Sequence, residues 1–80
     1  MKTNITQGIR TRMKIFRPFV NHRCVVSVPN RNDTKKPFFY RGVPIVVDAR
    51  GLFLRREDNG GILVLDLNSI IEIFTIKEEQ

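Results

Sequence analysis

The stretch FYRGVPIVVDARGLFLRRE, Phe39 to Glu57, decides how the chain is read. It runs from aromatic and apolar side chains into a carboxylate, Asp48, breaks at Ala49–Arg50, and resumes as the apolar run GLFL. Two apolar runs separated by a short polar break read as consecutive strands joined by a tight turn. The first run carries Gly42 and Pro44 two residues apart. Proline lacks the ladder N–H and glycine weakens regular pairing, so this pair predicts a bulge or sharp bend inside a long strand. Asp48 then raises one question: whether its carboxylate does chemistry or holds the turn. An aspartate before Ala-Arg-Gly can accept backbone N–H groups across such a turn, which favours the second answer.

Outward from this stretch the pattern repeats. CVVSV, Cys24–Val28, is a strand candidate ended by Pro29, and the polar loop PNRNDTKKP leads into the long strand FFYRGVPIVVD, Phe38–Asp48. GLFLRRE and GILVLDL flank DNGG, where Asn59 and Gly60 tolerate the positive φ of a two-residue type I′ hairpin. After LNS, the run IIEIFTI, Ile70–Ile76, is the last strand. Five short strands without room for crossover helices predict a mainly β domain, a small antiparallel barrel that is closed or nearly so. Residues 1–22 form an amino-terminal arm or helix ahead of a barrel over 23–80. Within that arm Ile5, Ile9, Met13 and Phe16 share one helical face, with Thr3 or Asn4 as cap. MKIF could instead begin an extra strand, and Pro18 ends whichever element forms.

The last two strands lack a clean polar face. Ile62 and Val64 oppose Leu63, Leu65 and Leu67, while Ile70, Phe74 and Ile76 oppose Ile71 and Ile73. A barrel this small has one interior, so the second apolar set needs a cover: a helix, the amino-terminal segment or another subunit. Head-to-tail pairing of unlike edges with further copies supplies that cover and closes into a ring when the rotation permits.

Eighty residues allow one domain with a thin core. The formal charge of +6 is unevenly placed. Residues 1–41 hold ten Lys/Arg against one acid, a charge of +9, and residues 42–80 hold four against seven, a charge of −3. A basic half favours a polyanionic partner, because each neutralised phosphate releases counterions. A single cysteine, Cys24, allows neither an internal disulfide nor a thiolate metal site, which points to a reducing, cytoplasmic setting. The longest apolar runs fall well short of the roughly 20 residues that span a bilayer, so no membrane association is expected.

With these elements in place, the opening stretch resembles the first motif of the Sm-like family, which includes eukaryotic Sm and LSm proteins, archaeal Sm-like proteins and bacterial Hfq. Tyr40, Gly42, Val47, Asp48, Leu52 and Leu54 fill its aromatic, glycine, hydrophobic, aspartate and apolar places in order. LNSIIEI, Leu67–Ile73, occupies the place of the second motif. The resemblance covers roughly residues 23 to 76. It implies a strongly bent five-stranded antiparallel barrel, preceded by a short helix. It also implies homo-oligomeric rings in which the fourth strand of one copy pairs with the fifth of the next, and binding of single-stranded RNA rich in uridine or adenosine. Three departures stand out. Pro44 replaces the usual Leu or Ile, the turn after Asp48 is the short Ala-Arg-Gly, and Leu67–Asn68 replace the Arg-Gly of Sm proteins and the Lys-His of Hfq.

Candidate residues follow from both readings. Asp48 and Gly42 structure the loop and the bend. The resemblance puts a base-stacking residue at Arg50, whose guanidinium can stack on a base or pair with phosphate; a solvated loop arginine is the plainer alternative. The Asn68 amide can read a base edge or simply serve a turn. Lys35 and Lys36, with Arg31, can follow a phosphate backbone, as can Arg10, Arg12, Lys14 and Arg17. Phe38, Phe39 and Tyr40 are expected to divide between core and interface, Cys24 to be a buried small hydrophobe, and Glu57 and Asp58 to serve solubility. With His22 as the only histidine, no catalytic or metal-ligand pattern surrounds Asp48; no metal, cofactor or enzymatic activity is expected. The expected function is a ring-forming, non-catalytic RNA-binding protein. Two alternatives remain: an oligomeric assembly barrel that has lost RNA binding, and a monomeric barrel binding DNA or a protein.

Overall fold

The computed structural model describes residues 5–33 and 35–77, with side chains from residue 8 onward. It contains one α-helix, α1 (Ile5–Phe16), and five strands: β1 (Cys24–Val28), β2 (Phe38–Asp48), β3 (Gly51–Arg56), β4 (Ile62–Leu65) and β5 (Glu72–Thr75). Short 3-10 turns follow the helix at Arg17–Phe19 and precede β5 at Leu67–Ser69. The strands form one antiparallel sheet in the order β4-β3-β2-β1-β5. Among the described residues no ladder joins β4 to β5. The sheet is open between β4 and β5, so of the closed or nearly closed barrel expected from the strand pattern the described residues show the five-stranded antiparallel sheet.

The amino-terminal ambiguity resolves as a helix. Met13 and Phe16 turn inward, with Phe16 buried in the same core cluster as the strands, whereas Arg10, Lys14, Ile15 and Arg17 face water. Lys14 lies in the last turn, where a cation complements the carbonyl end of the helix. Pro18 stops the α-helix by converting the next turn to 3-10 geometry. The cap expected at Thr3 or Asn4 lies outside the described residues.

β2 is the organising strand. Its first part pairs with β1 over Phe38–Gly42 and its second with β3 over Gly42–Asp48. Gly42 is therefore the residue at which β2 passes from one partner to the other. Two residues on, the register shifts between Pro44 and Val46, leaving Ile45 as the extra residue of a bulge. The bend anticipated from Gly42 and Pro44 is present, and it has a use. The Pro44 carbonyl accepts the Asn21 N–H at 2.8 Å, tying the end of the amino-terminal segment to the bulged strand.

The core follows the two-residue alternation of the strands. Cys24, Val26 and Val28 of β1, Val47 of β2, Leu52 and Leu54 of β3 and Leu65 of β4 meet Phe16, Leu67 and Ile70. Leu67 and Ile70 belong to the connection before β5, so β4 and β5 are each shorter than the apolar runs suggested. The cause is Asp66, whose carboxylate accepts the Asn68 N–H and starts a 3-10 turn that carries Leu67 and Ile70 into the core. Ile70 therefore does not share a strand face with Phe74. The β3–β4 hairpin is where DNGG placed it, but its type differs. Arg56 N–H bonds to the Gly61 carbonyl and Gly60 N–H to the Arg56 carbonyl, so four residues form the loop and only Gly60 has positive φ. No described helix is long and apolar enough to cross a membrane.

Candidate functional site

The turn that joins β2 to β3 is built by Asp48. Its Oδ1 accepts the Arg50 backbone N–H at 2.8 Å, closing an Asx turn over Ala49. Its carboxylate also accepts from the Arg50 side chain, from Nη2 at 2.6 Å and from Nε at 3.2 Å. The Arg50 hydrogen bonds hold the Asp48 carboxyl below its ordinary range, and Asp48 in turn raises the Arg50 guanidinium. Gly51 then begins β3 with φ +146°, and a Cβ there would lie 2.4 Å from the Leu65 carbonyl oxygen. This close approach seats the turn against the end of β4. Arg50 is thus the partner of Asp48 in both backbone and side chain.

The Arg50 guanidinium carbon stands 5.0 Å from the centre of the Phe53 ring. Phe53 is on the outer row of the sheet, paired with Val46 on one side and Val64 on the other. Arg50 is nonetheless 74% exposed. It is at once fixed along one edge, backed on one face and open on the other.

A second turn of the same construction lies beside the first. Asp66 Oδ1 accepts the Asn68 N–H at 2.9 Å, as Asp48 does for Arg50. Leu52 pairs with Leu65, so the 49–50 turn and the 66–69 turn leave the sheet at the same end. Asn68 is exposed, and its side-chain amide bonds to no other described residue; Leu67 beside it is only 1% exposed. The structure thus brings Arg50 and Asn68 to one end of the sheet.

Lys35 and Lys36 are not part of that arrangement. Their loop leaves from Val28 and Phe38, at the opposite end of β2 from Asp48. Asp33 shapes it by accepting the Lys35 N–H at 2.9 Å, and both lysines are exposed. The 66–71 connection spans the two regions, since Leu65 sits beside Leu52 and the Ile71 N–H bonds to the Ser27 carbonyl at 2.8 Å. The cations of α1 and the 3-10 turn after it form a third basic region, with Arg10, Lys14 and Arg17 exposed.

Other expectations are corrected or refined. Phe38 and Phe39 do not enter the core; both are exposed, and Tyr40 is half-buried. Glu57 and Asp58 are ion-paired as well as exposed: Glu57 with Arg23, and Asp58 with Arg56 at 2.6 Å. Arg23 holds the Glu57 carboxyl below its ordinary range. Arg56 lies over the Tyr40 ring at 5.4 Å, and Phe39, Tyr40, Arg41, Arg56, Glu57 and Asp58 border an open groove of about 430 Å³. Cys24 is buried as expected, its Sγ 3.1 Å from the His22 carbonyl oxygen, and burial pushes its thiol up. Among the described residues no group of His, Cys, Asp and Glu is arranged to hold a metal ion.

Three contributors escaped the sequence reading. Phe53 read only as a strand residue, although its spacing of three from Arg50 across a turn was a usable signal. Asp66 could have been found from Asp-x-Asn, the same pattern as Asp-x-Arg at 48–50. The Arg23–Glu57 pair, 34 residues apart, leaves no local trace. No protein-family model matches the chain, and neither a curated protein nor a solved structure is significantly similar to it.

Proposed function

We propose that the chain is an Sm-like protein that assembles head to tail into a ring through β4 and β5 and binds single-stranded RNA without catalysing a reaction. The observation that carries this reading is the identity of the two free edges. In the order β4-β3-β2-β1-β5, the strands with a free edge are the fourth and the fifth, the two that the resemblance joins between neighbouring copies. Both edges carry apolar side chains that the described residues leave open: Ile62 and Val64 on β4, Phe74 on β5 and Ile71 just before it, each roughly half exposed or more. Covering one half-exposed side chain of this size is worth about 1 kcal/mol. Pairing the edges also satisfies backbone groups that would otherwise recruit uncontrolled partners. The bulged, bent β2 and the 3-10 turn before β5 support the finer Sm-like reading, in which copies complete one another's sheets.

RNA binding rests on the turns at 48–51 and 66–69, which present Arg50 and Asn68 at one end of the sheet, and on a basic amino-terminal half. Attraction of the phosphate backbone by the exposed cations is long-range and salt-sensitive, whereas contact at the turns is short-range. In a ring, each copy repeats this pair of turns. Light scattering at micromolar protein tests assembly, and anisotropy titration with short U-rich and A-rich RNAs at several salt concentrations tests binding. An oligomer with salt-sensitive RNA binding is expected.

One observation favours a second reading, an assembly module that no longer binds RNA. Leu67 stands where Sm proteins have the arginine of their second motif, and it is in the core, so that position offers nothing to a ligand. The same two measurements separate the readings, because this one gives an oligomer indifferent to RNA.

A further inference from the structure

Besides its two end strands, the sheet has an open stretch of edge in its interior. β3 pairs with β2 only from Gly42 onward, so no described strand lies on the side of Phe38–Arg41 away from β1. In an antiparallel ladder the N–H and C=O of one residue point to the same side, and that side alternates along the strand. The Arg41 carbonyl accepts the Glu57 N–H at 3.0 Å, which turns Arg41, and with it Phe39, to the open side. The Arg41 N–H and both main-chain groups of Phe39 therefore face the groove between β2 and the start of the β3–β4 loop. At about 430 Å³ the groove is within the size range of ligand sites. Its far wall is the loop at Glu57 and Asp58, so a single extended segment fits where the sheet of another folded domain does not.

Charge selects the occupant. Asp58 is paired with Arg56, and Glu57 with Arg23. The Glu57 carboxyl is held down chiefly by Arg23, with Arg41 the smallest contributor. Arg41 enters no ion pair among the described residues and is exposed, so it is the uncompensated cation of the groove. Lys35 and Lys36 lie just ahead of the same edge, before Pro37. Phe39, 60% exposed, shares a face of β2 with Arg41 two residues away. A nucleic acid would satisfy the cations but offers no main-chain ladder to Phe39 and Arg41; an extended peptide offers both. We propose that this edge docks an extended acidic peptide of a partner protein, which adds a short strand beside Phe38–Arg41. A carboxylate of the peptide lies against Arg41, and an apolar side chain two residues from it lies against Phe39. Main-chain bonds supply affinity, and the Arg41–Phe39 pair supplies the choice of side chains. The site uses neither the free edges of β4 and β5 nor the Asp48 turn at the other end of β2, so it stands whether or not copies form a ring or bind RNA.

The probe is a blocked, fluorescent heptapeptide, Glu-Thr-Val-Thr-Glu-Thr-Val, which alternates acids and valines along one face, titrated into the full chain. Three relatives accompany it: one with lysine in place of glutamate, and two N-methylated on alternate amides, one for each of the two sets. An added strand turns only every second N–H toward its neighbour. One methylated set should therefore abolish binding and the other retain it, and the set that abolishes it gives the direction of the added strand. The acidic peptide is expected to bind and the lysine peptide not to. Arg41→Ala should weaken the acidic peptide about tenfold, the worth of one charge-assisted hydrogen bond. By hydrogen exchange, the Phe39 and Arg41 amides should be open in the free chain and gain protection with the peptide. No binding at millimolar peptide overturns the proposal. Binding that survives both methylations, or that Arg41→Ala leaves unchanged, overturns it by showing charge attraction without strand pairing. Protection of these two amides by a short single-stranded RNA and not by the peptide gives the groove to nucleic acid and overturns it. Protection in the free protein that rises with protein concentration gives the edge to a second copy and overturns it as well.

Discussion

Gly42 of β2 passes so close to the backbone of Arg55 on β3 that a Cβ at Gly42 would stand 2.2 Å from the Arg55 carbonyl oxygen. The obstacle is backbone, which cannot swing aside as a side chain can. The contact occurs where β2 ends its pairing with β1 and continues with β3, so relief there would disturb two ladders. Gly42→Ala should cost about 1–3 kcal/mol, as overpacking in a core does. Gly8 supplies the contrast, since a Cβ there meets nothing within 4 Å on an exposed stretch of α1. Gly8→Ala should stabilise by about 0.5–1 kcal/mol through helix propensity alone. Urea unfolding at matched protein concentration checks both, and equal midpoints would count against Gly42 as the point of closest approach.

The Asp48 turn makes a prediction about pH. Its carboxyl lies below the ordinary range because Arg50 bonds to the ionised form. A folded-state value below the unfolded one gives a stabilisation that is complete above the unfolded carboxylate value of about 3.9 and is lost as pH falls through the lower folded value. The turn should therefore be indifferent to pH across the neutral range and loosen only in acid. Carbon-detected NMR titration of the Asp48 carboxyl should place its midpoint below that of a free aspartate. In Arg50→Ala the midpoint should move up, toward the ordinary value. Glu57, lowered chiefly by Arg23, should respond to Arg23→Ala in the same direction.

Where a strand boundary rests on local turn chemistry, the sequence shows it. β1 and β2 occupy the residues that Pro29, the 29–37 loop and Asp48 delimit, and β3 begins at the glycine after the turn. Elsewhere the outcome depends on groups distant in sequence. DNGG suggests a two-residue hairpin, yet the Arg56 carbonyl captures the Gly60 N–H and lengthens the loop to four. The apolar run from Ile70 suggests a longer β5, yet Asp66 starts a turn whose burial of Leu67 and Ile70 outweighs continued pairing. The site divides similarly. Asp48 beside Arg50 is legible because both partners lie in one turn, whereas Phe53 behind Arg50 depends on which face of β3 that residue takes.

Lys35 and Lys36 should behave differently from Arg50 in RNA binding. Neither pairs with a carboxylate among the described residues, and both are exposed on the 29–37 loop, remote along β2 from the Asp48 turn. A solvated lysine meets phosphate as a point charge and reads no base. Replacing both by alanine should weaken every RNA by a similar factor and reduce the salt slope by about 1.4, or 0.7 for each phosphate that is no longer neutralised. Binding to normal and abasic RNA should fall together. Titrations at three salt concentrations are sufficient to measure this, and an unchanged slope would remove the loop from the path of the RNA.

The edges of the sheet yield the most direct test of assembly. Val64 faces outward on β4 in a cross-strand row with Phe53 and Val46, and that row stops at the free edge. At the other edge Phe74 stands beside Val25 on the outer side of β5. If β4 of one copy pairs with β5 of the next, Val64 is buried at the junction, and a charge there is costly only in the assembly. Val64→Arg should leave the circular dichroism of the chain unchanged, because its present surroundings are half water. It should reduce the native mass toward that of the 9.3 kDa chain. Leu54→Ala is the opposite case: Leu54 is fully buried on the inner face, and its truncation should cost about 2–5 kcal/mol of folding stability whether or not copies associate. Light scattering on the wild type at micromolar concentration decides the matter first. A single-chain mass there would leave the apolar edges unexplained by self-pairing and would sink the ring.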